Sequence, residues 1–453
     1  MNLAHQTAES AMRALGIAAL ALALAPPLAR LLAHTHGRRR MVAWALLLAP
    51  LLTPALLVSY AYSHVALRLM GTPGAIAALY FLALAFKLVP VAALILHFIP
   101  PAMSAEAVRC HALLARSHRE RWMFQLRGAG RAPWMAGGLV FLFAFTDFEL
   151  ASLWSLKTWA VALFDAQAGG LALGASLRLT ALPLSIEVAV LALILRPPAL
   201  SLAQSGSGRA PSRIARRALL AYLGGAALLA CGWPLLFVAV QAASGFRAVA
   251  ENFVLANDLV ASLGFAAGAT LGAWMLAKVA RTSRLSDRPR RAAWATLLAA
   301  PGLLGALLLS LELLAAFQLP GLHPAYDTPL PLLLALTLLL LPFALPLRWL
   351  VDAICCNPAL HVAGLAGSAA LVWRLDTRRR WLAAFLLFCW AYFDFTAGSI
   401  LAPVGLTPVF VRLHNLAHYG QTAVLSAMFL AAFAAPVAVL LLTAPAARWY
   451  ARR

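Results

Sequence analysis

The chain returns again and again to unbroken stretches of Leu, Ala, Val and Phe about as long as a bilayer is thick. A transmembrane helix needs about 20 mostly apolar residues. In hydrocarbon only helices and closed barrels satisfy every backbone N–H and C=O. Barrel strands would alternate apolar and polar residues over about ten positions, and these runs do not alternate. The pattern predicts an all-α polytopic membrane protein with about 11 transmembrane helices, at 12–33, 41–62, 75–98, 133–150, 174–196, 217–241, 257–280, 293–317, 329–350, 381–401 and 421–446. Composition agrees: 63% of the 453 residues are hydrophobic and 11% charged, against about 25% charged in a soluble domain.

The formal net charge of +21 would point to nucleic acid in a soluble protein. Here the basic runs are not interleaved with aromatics as a base-stacking surface requires, and cytoplasmic loops of membrane proteins collect Lys and Arg. The bilayer, not nucleic acid, is the expected partner. With the N-terminus outside and the C-terminus in the cytoplasm, the inside segments hold 28 of the 36 basic residues and the outside segments five. One misplaced span would invert every later loop, so the ratio supports both orientation and count. The run GIAALALALAPPLARLLA is followed by HTHGRRR and another span, and reads as a retained helix rather than a cleaved signal. Five cysteines show no CxxC spacing, so neither a zinc site nor a disulfide framework is indicated.

The Pro/Ser/Gly-rich stretch 197–216 has linker chemistry. It predicts a first lobe at 1–196 with five helices and a second at 217–453 with six. The lobes share a pattern. FTDFELAS (145–152) and YFDFTAGS (392–399) each end an apolar run, 247 positions apart. Asp147 then matches Asp394, Phe148 matches Phe395 and Ser152 matches Ser399, and a two-residue gap brings TWAVALF (158–164) onto TPVFVRL (407–413). A repeat of this size implies a two-lobed, transporter-like body.

Asp147, Glu149 and Asp394 fall near the outer ends of their spans. Ionisable groups at membrane depth are costly and usually face a bundle interior or water. Two readings stand: an acidic outer vestibule that steers a cation, or carboxylates that reach the interface and bond a nearby Ser or Trp154. Glu187 and Glu312 sit deeper, and Lys87 lies in the third span; a buried Lys–Glu pair is expected rather than a proton relay. His414 and His418 have i, i+4 spacing but no evident third ligand, so no metal site is assigned. A phosphate-binding GxxxxGK[ST] loop is absent, since the only lysines are Lys87, Lys157 and Lys278. No cofactor is expected in this chain, and any ATP hydrolysis belongs to a separate subunit. An intramembrane transferase using His323, Asp327, His414 and His418 is an alternative, but no nucleophile–base pairing supports it.

Two inside loops carry EAVRCHA (106–112) and HVAGLAG (361–367). Here the chain resembles the integral-membrane subunits of binding-protein-dependent ABC importers, whose EAA-x-x-x-G segment docks into an ATPase. The two-halved form is most similar to the fused iron(III)/thiamine-type permeases, which also show an acidic step, a small residue and Ser like those of FTDFELAS and YFDFTAGS. The resemblance implies ATPase-coupling residues at Glu106, Ala107, Ala112, His361, Ala363 and Gly367, and a translocation path near Asp147, Glu149, Asp394, Ser152 and Ser399. It further implies a cytoplasmic ATPase subunit, a periplasmic solute-binding protein, a bacterial inner-membrane location and import of a small solute such as iron(III). The sequence departs from the pattern at Ala112, Val108, His361 and Val362, and lacks the Leu-Pro expected after each motif. A degenerate permease serving as a membrane scaffold is the reading those departures favour.

Overall fold

The computed structural model describes residues 3–69, 71–99, 105–114, 132–195, 211–251, 253–282, 288–355, 378–418 and 422–450, with isolated positions inside 115–131 and 356–377. Among the described residues all regular structure is helical. In chain order the first nine helices are α1 Leu3–His34, α2 Gly37–Leu52, α3 Ala55–Leu69, α4 Pro73–Phe98, α5 Ala105–Leu114, α6 Ala132–Phe145, α7 Glu149–Leu153, α8 Trp159–Ala168 and α9 Leu173–Leu195. Then come α10 Arg213–Ala227, α11 Trp233–Ala242, α12 Phe246–Ala250, α13 Phe253–Thr282, α14 Arg288–Ala299, α15 Gly305–Phe317 and α16 Leu330–Cys355. The last four are α17 Arg378–Phe393, α18 Thr396–Leu401, α19 Val409–His418 and α20 Thr422–Tyr450.

Among the described residues, seven helical segments are long and apolar enough to cross a membrane, and an eighth is added if the bent pair α2–α3 is one span. The chain is therefore an all-α, multi-pass protein by length and composition of its helices. Helices lie on all eleven expected segments, but four are interrupted, 133–150 among them at Thr146, Asp147 and Phe148. Segment 41–62 breaks at Thr53–Pro54, because the ring of a proline pushes the preceding residue out of the α region. Segment 293–317 breaks at Pro301, where a 3-10 turn ends at Gly305 with φ 75°. Segment 381–401 breaks at Asp394 and Phe395. The expected linker 197–216 lies outside the described residues apart from 211–212.

The chain divides into two compact units: residues 1–53, 62–166 and 177–233, and residues 54–61, 167–176 and 234–453. The core of unit 1 is the mutual packing of α1, α4 and α6. The buried stripe of α1 sets the small residues Ala14, Ala18, Ala21, Ala25 and Ala29 beside Ile17, Leu28, Leu31 and Leu32. Lipid tails are as apolar as Leu, so helices in a bilayer associate through close van der Waals fit, which small residues permit. A Cβ added at Gly137 would lie 2.9 Å from Leu22, and one at Gly16 would lie 3.2 Å from Phe81.

Unit 2 is centred on α13, α16 and α17, again packed mutually. A Cβ at Gly268 would lie 2.8 Å from Leu333, and one at Gly272 would lie 3.0 Å from Thr337. Gly16 and Gly268 are 252 positions apart, as are Phe81 and Leu333. At the arginine-rich end of this unit the Arg348 guanidinium lies 4.8 Å from the centre of the Trp274 ring and donates to the Trp274 carbonyl at 3.0 Å. Asp352, one turn further along α16, stands 3.8 Å from Arg348 and 2.8 Å from Arg380 of α17. Arg380 also holds Asp376 through both carboxylate oxygens at 2.7 and 2.8 Å. These ion pairs and the stacked indole tie the three core helices together at one end.

Candidate functional site

Both acidic steps are places where a long helix stops and a short one starts. Asp147 follows α6 and its Oδ2 accepts the Ala151 N–H at 3.3 Å; Asp394 follows α17 and its Oδ2 accepts the Ala397 N–H at 3.0 Å. A carboxylate at this position satisfies first-turn N–H groups that have no helical acceptor. Ser152 and Ser399 repeat a second local bond, each hydroxyl donating to the carbonyl three residues back, Glu149 at 3.0 Å and Thr396 at 2.8 Å. Their hydroxyls are thus engaged inside their own turns.

The chain beyond each short helix also follows one course. Ser155 has φ 53° and Gly405 has φ 85°. Four residues later the Trp159 N–H donates to Ser10 Oγ at 3.3 Å, and the Val409 N–H donates to Ser262 Oγ at 2.7 Å. Phe148 meets Phe164 edge-on with ring centres 5.4 Å apart, and Phe395 stacks on His414 at 4.7 Å. Trp159 thus corresponds to Val409, and helices α8 and α19 begin there. The turn before these helices is one residue longer in unit 2 than the two-residue gap drawn from sequence, because the left-handed residue, not the Thr–Trp and Thr–Pro pairs, sets the register.

Side chains from neighbouring helices differ. In unit 1 the Tyr80 hydroxyl of α4 is hydrogen-bonded to Asp147, and Lys87 of the same helix acts on it as the nearby cation. The positions 252 further on are Leu332 and Leu339. Arg13 donates to Glu9 Oε2 at 3.0 Å and to the Lys157 carbonyl at 3.1 Å, which ties α1 to the turn before α8. In unit 2 the tie between the first helix and the last turn is direct: Arg412 of α19 pairs with Asp258 of α13.

The expected Lys–Glu pair does not form for Glu187. It is 0% exposed on α9, and neither of its carboxylate oxygens has a hydrogen-bond partner, while Lys87 serves Asp147. Nor does Trp154 satisfy a carboxylate, since its buried Nε1 has no acceptor. Glu149, half-buried, opens helix α7, where a carboxylate suits the helix dipole. Of the expected coupling residues, Glu106, Ala107 and Ala112 lie on helix α5, and Ala107, Cys110, Leu113 and Leu114 are exposed there. His361, Ala363 and Gly367 lie outside the described residues. Among the described residues no group of three His, Cys, Asp or Glu is placed to hold a metal ion.

Sequence reasoning passed over Tyr80, the Asp258–Arg412 pair and the two serines of the first helices. One signal was legible: Ser10 precedes Gly16, and Ser262 precedes Gly268, by the same six positions. Comparison of the chain with known protein families, with curated proteins and with solved structures gives no match.

Proposed function

We propose that this chain is the membrane permease subunit of an ATP-driven, binding-protein-dependent importer. Its eleven helical segments form two related lobes that alternate access for a small solute, iron(III) or another cation. The observation that carries the reading is the doubled framework: a Ser-bearing first helix, an acidic break, a short helix, a left-handed turn and a helix anchored back on that Ser, once in 3–195 and once in 253–450. Helices α10, α11 and α12 fall between the copies. Asp147, Glu149 and Asp394 line the solute's path at the outer ends, Asp394 being held by the N–H of Ala397. Helix α5, with Glu106, Ala107 and Ala112, offers an exposed face to a cytoplasmic ATPase, and His361, Ala363 and Gly367 form the paired contact. The distribution of Arg and Lys supports an N-terminus outside and a C-terminus in the cytoplasm of a bacterial inner membrane.

The test is biochemical. The tagged full chain is purified from native membranes and assayed for co-purifying, vanadate-sensitive ATP hydrolysis, alongside Glu106→Lys. The expected result is an associated ATPase that is lost in the variant. Absence of any nucleotide-hydrolysing partner sinks the reading, and a retained partner without hydrolysis favours the scaffold.

A further inference from the structure

We propose that Glu187 is a proton-binding site: its carboxyl is held as the neutral acid inside helix α9 of unit 1. The inference does not depend on the import reading, because it concerns a group that neither the vestibule nor the coupling segments use.

Three observations carry it. First, Glu187 is completely buried in α9, and neither carboxylate oxygen finds a donor among the described residues. Second, neither the part of α9 around Glu187 nor helix α6 beside it carries a charge. Helix α6 faces α9 closely, with a Cβ at Gly138 reaching 2.9 Å from Ile194 and 3.4 Å from Val190, and α6 contains no titratable residue between Ala132 and Phe145. Beyond its end come Asp147, engaged by Tyr80 and Lys87, and Glu149. On α9 itself the one other charge is Arg178, which is exposed and nine residues away, about 13 Å along the axis. Third, the framework does not demand polarity there. Thr180, Pro183 and Glu187 share the buried face of α9, and the residues 249 positions on, Phe429, Ala432 and Pro436, form a buried apolar face on α20.

An ionised carboxylate taken from water into such a place without a partner is disfavoured by several kcal/mol even after relaxation. The neutral acid avoids most of that penalty. Pro183, one turn earlier, removes a helical hydrogen bond, so α9 bends most easily beside the acid. Opening there admits water and lets the proton leave; closing takes one up.

Dicyclohexylcarbodiimide tests this directly. The reagent is apolar and reacts with the protonated carboxyl. The acid's proton passes to one carbodiimide nitrogen, the carboxylate oxygen adds to the central carbon, and acyl migration to nitrogen leaves a stable N-acylurea with nothing lost. The purified full chain is treated at pH 7.5, where a water-exposed glutamate is about 99.9% ionised, and adducts are located by peptide mass spectrometry. The expected result is an adduct at Glu187 that persists in Asp147→Asn and falls at least tenfold in Glu187→Gln. Glu187→Gln replaces a neutral acid by a neutral amide, so it unfolds at the wild-type temperature. No adduct at Glu187, or a Glu187→Gln variant that melts like a broken ion pair, overturns the proposal.

Discussion

Asp147 and Asp394 stand at the same bend of two similar frameworks and keep different company. Both accept N–H groups from the short helix that follows. Asp147 is also held by Tyr80 and Lys87 of α4, whereas the corresponding positions of α16 are Leu332 and Leu339. The bend itself requires a short acceptor side chain, because a new helix starts there and its first N–H groups have no carbonyl to bond. The rest is elective. What the pair teaches is that the backbone fixes the acid, while facing helices decide whether it is neutralised locally or left for something that arrives from outside.

That contrast can be broken most sharply at the acids themselves. Asp147→Asn weakens the bond to Tyr80 and removes the carboxylate whose charge acts on Lys87, and is expected to lower stability by about 1–3 kcal/mol. Asp394→Asn keeps an oxygen for the N–H of Ala397 and should lose under about 1 kcal/mol. Thermal unfolding of the two purified variants in detergent measures both, and equal losses would abolish the distinction. Adding Lys87→Met to Asp147→Asn should restore about 1–2 kcal/mol of the single variant's loss, because the stranded cation is gone; a purely additive double variant would show that Lys87 does not serve Asp147. Next in size is the tie to each first helix. Asp258, 5% exposed, holds Arg412, and Asp258→Asn should cost about 2 kcal/mol. Arg13 pairs with a Glu9 that is 42% exposed, so Arg13→Ala should cost about 0.5–1 kcal/mol. Reversal of that order in the same unfolding assay would mean that unit 1 depends on its surface pair more than unit 2 on its buried one. The smallest effects lie at the left-handed turn. Gly405→Ser should cost about 1 kcal/mol and Ser155→Gly should gain up to a similar amount, since φ of 85° and 53° suits glycine.

Much of the helical architecture was legible because hydrocarbon leaves the backbone few options. Long apolar runs without alternation become helices, and all eleven expected segments carry them. The interruptions were only partly legible: Pro54 and Pro301 announce two of them, but the stops at Asp147 and Asp394 depend on a carboxylate capping the next turn, which hydropathy does not register. The candidate site divides in the same way. FTDFELAS and YFDFTAGS marked the bends, since an acid after an apolar run is conspicuous. Tyr80 remained hidden because one tyrosine in an apolar helix has no signature until α4 is packed against α6. The solitude of Glu187 was hidden too, since Lys87 offers a plausible partner by hydropathy depth alone, and only packing assigns that lysine to Asp147.

Gly16 and Gly268 have a consequence for how this protein tolerates change. At each, a single added methyl would stand 3.2 Å or less from the side chain opposite, Phe81 or Leu333, and would work as a wedge between closely packed helices. A saturation screen scored by the amount of folded protein in the membrane should therefore show sharp intolerant spots at Gly16, Gly268 and Gly272. Each spot should be rescued by shaving the facing residue rather than by any change to the charged turns.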